Sequence, residues 1–314
     1  MKKNLTLVVN PRSSGFELIR KKILPFLDET HFEKGSFKTF EIQPTSPMEN
    51  AHEMAKGLKD DDIILVAGGD GTAHIAANAV AISGKKNIKI KFTGFGNFND
   101  YAHSFSKNSG KAAIKSFETL KVQAKIRPIE LRINGEFFRY APLYATVGLT
   151  AEMAEIFEGG RIRKVLKKVY NRNIRLILSL SAATRFYFKH CRNHILNLSK
   201  IKINDKDFLN IPQNPTDIVF MNGPRMARIM RSSINKKESD NFGFEVLNSA
   251  GLIRNSPFLM KGFFGKIPLK RADRVEIAFR KPQNIVIQIE GEVCKIKKVQ
   301  TIEAKISDKI IEIL

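Results

Sequence analysis

The residues with the clearest chemical potential stand in the run ILVAGGDGT, 64–72. A short apolar strand ending in Gly68 and Gly69 lets backbone N–H groups approach phosphate oxygens without obstruction by a Cβ. Gly71 and Thr72 continue the turn, and Asp70 puts a carboxylate inside it, suited to holding Mg²⁺ or orienting a hydroxyl. The same letters also make an ordinary tight turn. No GxxxxGK[ST] run occurs, and GFGNFN at 94–99 lacks the last glycine of GxGxxG. Asn10, Arg12, Ser13 and Ser14 form a polar turn after another apolar run, where Ser13 or Ser14 also suits a helix N-cap. Thr45 precedes a helix that starts near Pro47, and Asn99 and Asp100 precede another, so each reads equally as a turn or capping residue. Glu292 lies near Glu290 on a turn and by itself reads as a solvated hairpin acid. Cys191 and Cys294 form no CxxC pattern, which argues against zinc and against a disulfide scaffold. The six histidines show no metal spacing. His190 and His194, four apart with no acid near them in sequence, read as structural.

The elements that must position these residues alternate over the first 120 positions. LTLVV (5–9), KTFEI (38–42), IILVA (63–67) and IKIKF (88–92) read as strands. FELIRKKILPFLDE (16–29), MENAHEMAKGL (48–58) and AHIAANAVAI (73–82) read as helices. Such alternation predicts a parallel α/β sheet with right-handed crossovers and helices on both faces, with ligands beyond the carboxyl ends of its strands. The loops at 10–15, 68–72 and 94–100 fall at that edge. After Arg127-Pro128 the texture changes. IELRINGEFFRYAPLYATV (129–147) carries the hairpin signal Asn134-Gly135. IKIND (201–205), DIVFMN (217–222), GFEVL (243–247), VEIAF (275–279) and IVIQIEGEVCKIK (285–297) are strand-like, which predicts a mainly antiparallel second domain. Helical interruptions are expected around 150–195 and 256–265.

Composition narrows the partner. The 314 residues are 43% hydrophobic, enough for a buried core, and 53 Lys+Arg against 31 Asp+Glu leave +22. That charge predicts an anionic partner. Half of it lies in 161–200, with eleven Lys+Arg and no acid. Val165, Leu166, Val169, Tyr170 and Ile174 are interleaved at roughly helical spacing, as on a basic amphipathic surface for anionic lipid. A helix packed on the second domain with a solvated basic face has the same pattern. Nucleic acid is not expected: there is no tryptophan, only five tyrosines, and no RRM, KH or helix-turn-helix signature. The uncharged stretches 71–84 and 176–184 are too short to cross a bilayer, and MKKNLTLVVNPRSSG lacks a signal peptide's long apolar region. The expected location is cytoplasmic, with peripheral membrane association.

Taken in order, VVNPRSSG (8–15), Thr45 before a helix, AGGDGT (67–72), GNFNDYA (96–102) and IEGE (289–292) resemble the diacylglycerol kinase catalytic domain family. GNFNDYA is similar to the family's GTxNDFA, and IEGE to its DGE. The family includes bacterial lipid kinases and sphingosine kinases, and shares a superfamily with NAD kinases. The resemblance implies an α/β nucleotide-binding domain over 1–127, rejoined by a returning segment 303–314. It implies a β-sandwich over 128–302 with helical insertions on the lipid-substrate side, and an active site in the cleft between them. ATP and Mg²⁺ are the implied cofactors and a membrane lipid the implied substrate; a homodimer is compatible with it. Asn10, Pro11, Arg12, Ser13, Ser14, Thr45, Gly68, Gly69, Gly71, Thr72 and Asn97 would hold the nucleotide, with Asn99 and Asp100 in the cleft. Asp70 and Glu292 would be catalytic, the latter as proton acceptor, and Asp240 a metal ligand. The chain departs from the family at His74-Ile75, where Asn-Glu is usual, at Asn97 for threonine, and at DNFGFEV (240–246) for the acidic metal-linked segment. Two alternatives stay open: a soluble NAD-kinase-like phosphotransferase, and a catalytically degenerate homologue that binds anionic lipid.

Overall fold

Strands β1 (Leu5–Val9) and β3 (Ile63–Ala67) are apolar at nearly every position because they lie at the centre of a sheet covered on both faces. The computed structural model describes residues 4–13, 16–22, 37–95, 99–105, 121–159, 178, 181–182, 185–186, 189–190, 194–209, 211–226, 230–234, 240–248, 266–267 and 269–314. The first unit runs β1, α1 (Phe16–Lys22), β2 (Phe37–Glu41), α2 (Pro47–Gly57), β3, α3 (Asp70–Ser83), β4 (Lys89–Phe92), α4 (Asp100–Phe105) and β5 (Ala124–Ile126). A late strand, β18 (Ile311–Ile313), returns to this sheet, whose order is β2-β1-β3-β4-β18-β5. β1 to β4 and β18 run parallel to one another, and β5 closes the edge antiparallel. Val9 pairs with Ala67 and Val66 with Phe92, so the loops after β1, β3 and β4 leave from one edge. Hydrogen bonds lace that edge, from Ile42 N to Val9 O at 2.9 Å and from Phe95 N to Gly68 O at 2.9 Å.

The second unit contains β6 (Ile129–Ile133), β7 (Glu136–Ala141), β8 (Tyr144–Gly148), α5 (Leu149–Gly159), β9 (Leu198–Ile203), β10 (Lys206–Asp207) and β11 (Pro215–Met221). It continues with β12 (Arg225–Met226), β13 (Met230–Arg231), β14 (Phe242–Asn248), β15 (Lys270–Ala272), β16 (Arg274–Ile289) and β17 (Glu292–Ile306). Apart from the small β12–β13 pair, these strands form one antiparallel sheet in the order β15-β14-β11-β8-β16-β17-β6-β7, with β9 and β10 branching from β16. β16 is long enough to pair with β9 through 275–279 and with β8 through 287–289. The sheet thereby surrounds its own core, in which Leu131, Val147, Phe220, Phe244, Ile277, Ile287 and Ile302 are all buried.

Three expectations need correction or restriction. The helix after the glycine turn begins at Asp70 rather than Ala73, with Gly69 as its N-cap, so Asp70, Gly71 and Thr72 form its first turn. The strand-like segment 285–297 divides at the turn expected near Glu290, where Glu290 (φ 54°) and Gly291 (φ 93°) make the β16–β17 hairpin. Asn134 (φ 52°) and Gly135 (φ 84°) make the same kind of turn, which there is legible because Asn-Gly favours it. The helix expected over 256–265 lies outside the described residues.

The two units meet across α3. Every residue from Thr72 to Ala81 is buried. Its core neighbours include Ala51 and Met54 of α2 on one side and Leu143, Tyr144, Val219 and Met221 of the second unit on the other. A helix enclosed in this way is apolar all round. Beyond Thr72 in its first turn, its polar exceptions are His74 and Asn78, 1% and 0% exposed. Asn78 Nδ2 donates to the carbonyls of His74 (3.0 Å) and Tyr140 (3.1 Å), and its Oδ1 accepts from Tyr140 N at 3.0 Å. Asn78→Ala would leave both backbone groups of Tyr140 without this partner in a dry interface. The expected loss is about 2–4 kcal/mol, read from the urea midpoint. A change at an exposed position of α2, Glu53→Ala, should move the same midpoint by less than about 0.5 kcal/mol.

Candidate functional site

The carboxyl edge of the parallel sheet meets the tip of the β16–β17 hairpin. Gly68 is required for close approach: a Cβ there would lie 2.5 Å from Thr72 Oγ1. A Cβ on Gly71 would meet none of the described residues within 4 Å, so they leave this face of the first turn of α3 open. No side chain caps the amino end of α3. Its first amides therefore remain available to an anion, and the helix dipole adds to their pull. Around the turn, Val66, Phe92, Gly94, Asn99 and Tyr101 line a small recess.

Asp70 is half-buried in that first turn, and its Oδ1 accepts from Tyr101 N at 3.2 Å. Burial pushes its carboxyl up to about 6, opposed by the backbone hydrogen bonds of Tyr101 and Asn99 and reinforced by the charge of Glu290. The Asn99 carbonyl (φ 58°) accepts from His103 N at 2.9 Å and so stands at the start of α4, while Asp100 is 2% exposed. The turns after β3 and β4 are thus joined through one carboxylate.

Glu290 is the acid that sequence reasoning passed over. It is 2% exposed. Its carboxylate accepts from Tyr101 Oη, from Leu143 N, and from His74 Nδ1 at 2.9 Å. Burial, then the Glu290 charge, holds the Tyr101 hydroxyl protonated, its pKa well above the usual phenol range. The Tyr101 ring packs on Phe92, centroids 4.7 Å apart. Glu292, two residues on, keeps 29% of its side-chain surface, and its Oε2 lies 3.7 Å from Arg139 Nη1. Arg139 is 6% exposed, and its Nε and Nη1 have no hydrogen-bond partner among the described residues. The only sequence signal for Glu290 is the doubling of acids around Gly291. His74 carries none beyond its departure from the family motif.

The remaining expected residues scatter. Asn10 Oδ1 accepts from Arg12 N at 3.0 Å, and Ser13 N donates to Asn10 O at 3.0 Å, which shapes the turn after β1 beside Pro11. Ser13 Oγ is buried without a hydrogen-bond partner among the described residues. Thr45 is exposed and accepts from Asn50 Nδ2 at 3.0 Å, while Ser46 and Glu49 form the capping box of α2. The Asp240 carboxylate is 84% exposed and pairs with Arg127 Nη1 at 2.6 Å. His194, expected to lack an acidic partner, pairs with Glu152 of α5 at 2.8 Å, an acid brought near only by folding. Ser14, Asn97 and most of 161–200 lie outside the described residues.

Asp70 supplies a prediction for the protein free of nucleotide and metal. Its folded pKa of about 6 exceeds the usual 3.8, so the folded state binds the extra proton between those values. Its contribution to stability therefore falls as pH rises from about 4 to about 6 and stays unfavourable above that range. Asp70→Asn keeps the acceptor for Tyr101 N and removes the charge. Urea denaturation in EDTA should show the variant more stable than the parent by about 1–3 kcal/mol at pH 8, with the difference shrinking towards pH 4.

Residues 4–132 match the diacylglycerol kinase catalytic domain family. Over 139 residues the chain is 26% identical to a diacylglycerol kinase of Bacillus subtilis (strain 168), covering 43% of this chain and 44% of that protein. The match thus spans less than half the length of that curated relative. Two solved structures from Bacillus anthracis str. Sterne share the fold over nearly the whole length. One, of a diacylglycerol kinase, has TM-score 0.62 at 16% identity, covering 98% of this chain and 96% of its own. The other, of a putative diacylglycerol kinase, has TM-score 0.65 at 14% identity, covering 99% and 96%. The glycine turn, Asp70 and α4 all fall within the residues that the family model matches. Through residues 4–132, which make up less than half of its length, the chain is similar to the diacylglycerol kinase catalytic domain family.

Proposed function

We propose that this chain is an ATP-dependent lipid kinase that transfers the terminal phosphoryl group to a hydroxyl of a membrane lipid. The observation that carries this reading is the meeting of two parts. The uncapped amino end of α3, with Asp70 in its first turn, is faced by a hairpin from the second unit that bears Glu290 and Glu292. The first part suits phosphates; the second brings a half-exposed carboxylate to the same cleft.

The residues present fit the nucleotide. Open space beside Gly71, uncapped amides and the orphaned Ser13 Oγ stand on the two turns expected to cradle phosphates. Among the described residues no group of three or more His, Cys, Asp or Glu is gathered to cage a metal. Mg²⁺ therefore fits as a companion of nucleotide phosphates, with Asp70 as the nearby protein carboxylate. When bound, nucleotide and metal supply the transferable group and neutralise its charge. The protein's part is mainly positioning. The amides of the α3 turn hold the phosphate end, and Asp70, already fixed by Tyr101 N, orients it. Glu292 accepts the proton of the lipid hydroxyl, held on its other side by Arg139. Glu290 cannot take that role from its buried position.

The basic segment 161–200 would bring the enzyme to anionic lipid. In its described part, Arg185 and Lys189 are exposed four residues apart on helical backbone, and Phe186 stacks on His190 with centroids 4.5 Å apart. Among the described residues no helix is long and apolar enough to cross a membrane.

Radiolabelled ATP, Mg²⁺ and a total lipid extract should yield a labelled phospholipid, which Asp70→Asn abolishes despite its greater stability. Label appearing on NAD, or no transfer to any lipid, would overturn the proposal. For docking, each basic residue near an anionic surface contributes about 1 kcal/mol. Changing Lys164, Lys167, Lys168 and Arg172 to Glu should weaken vesicle sedimentation at least about a hundredfold and leave ATP affinity unchanged. Equal sedimentation of variant and parent would make the segment a solvated face.

A further inference from the structure

We propose that Glu290 is a positioning residue, whose carboxylate clasps the β16–β17 hairpin to the glycine-turn unit and so sets where Glu292 stands in the cleft. This rests on the kinase reading for its catalytic consequence. The clasp itself rests on geometry.

Glu290 receives donors from three separate parts of the chain. His74 comes from α3, Tyr101 from α4, and the Leu143 amide from the approach to β8. Two of the three belong to the first unit, so the carboxylate spans the interface instead of tightening one side of it. The acceptor role of the carboxylate requires His74 to present Nδ1–H. Asn78 lies one turn further along α3 and fastens the neighbouring Tyr140 backbone, so the hairpin tip and β7 are registered on the same helix.

A clasp of this kind is a costly way to hold a hairpin. A buried carboxylate demands a full set of donors, and an apolar tip of similar volume would pack at least as stably. Glu290 also takes a left-handed backbone conformation (φ 54°), which glycine or asparagine adopts more readily. Its charge moreover raises the carboxyl of Asp70. Three separate costs at one residue, next to the cleft, mark a side chain kept for something other than stability. What the arrangement secures is direction. Ile289 pairs with Glu292 across the turn, so with the Glu290 side chain pinned the turn cannot rotate, and Glu292 leaves it towards Arg139. Small displacements of a reacting group cost much rate, up to about a hundredfold for roughly 1 Å.

The test uses the full chain carrying Glu290→Gln, Glu290→Asp or Tyr101→Phe, with two independent measurements. Amide hydrogen exchange without ligand should show residues 291–294 and Leu143 exchanging at least about tenfold faster in Glu290→Gln, with β3 unchanged. In the lipid kinase assay, kcat should fall by about ten- to a hundredfold with the KM for ATP within about twofold. Tyr101→Phe should give a smaller change of the same kind, and Glu290→Asp, which keeps the charge, should recover part of kcat. Because both residues act through one contact, Glu290→Gln with Tyr101→Phe should be no worse than Glu290→Gln alone. Unchanged exchange at the hairpin would overturn the clasp, with or without kinase activity. Should kcat, ATP affinity and β3 protection all decline together, Glu290 is merely structural and the positioning role is rejected. Absence of lipid phosphorylation by the parent would reject the kinase reading alone, since the exchange measurement still decides on the clasp.

Discussion

A helix buried on every side must find partners for its polar groups in other parts of the chain, and α3 is such a helix. It begins in the glycine turn, runs between the parallel sheet and the antiparallel one, and offers each a face. Beyond its first turn, its two buried polar side chains, His74 and Asn78, do not loosen the interface. Asn78 copies a strand partner for Tyr140, and His74 meets Glu290. The relative placement of the two sheets, the approach of the hairpin and the opening at the α3 amino end all follow from that one enclosed element.

The same enclosure explains why the site is electrostatically expensive. Asp70 and Glu290 are two carboxylates brought near each other on either side of Tyr101, one held by its backbone amide and the other by its hydroxyl. Their compensation comes from neutral donors and one imidazole. Arg139 stands in the opposite situation, a buried cation beside Glu292 with two donors that no described residue uses. A fold selected for stability alone would discard such groups. Their concentration at the meeting of the glycine turn and the hairpin sets that region apart from the apolar remainder of the interface.

The strands of the parallel sheet are legible because burial on both faces leaves short continuous apolar runs, as in LTLVV and IILVA. The Asn134-Gly135 hairpin is legible because its residue types suit positive φ. Glu290-Gly291 carries a weaker signal, since glutamate rarely adopts that conformation without outside support. Glu290 and Glu292 therefore read only as neighbouring acids on a turn, and the resemblance to a family motif draws attention to Glu292 alone. The start of α3 reads three residues late for a related reason. Gly-Asp-Gly resembles a loop, and only the packing of Thr72 against Gly68 shows that the helix has already begun.

By itself, then, the sequence determined what short-range patterns can determine: alternating strands and helices up to Arg127, an antiparallel region after it, a glycine turn with one carboxylate at a sheet edge, and a concentrated basic segment. Tertiary structure decided which acids meet. His74 and Glu290 are 216 residues apart in the chain, Tyr101 and Glu290 189, and His194 and Glu152 42. No local period or spacing encodes such pairs. The two pairs made by Glu290 exist because α3 is enclosed by both sheets and because β16 is long enough to carry its hairpin tip across to the first unit.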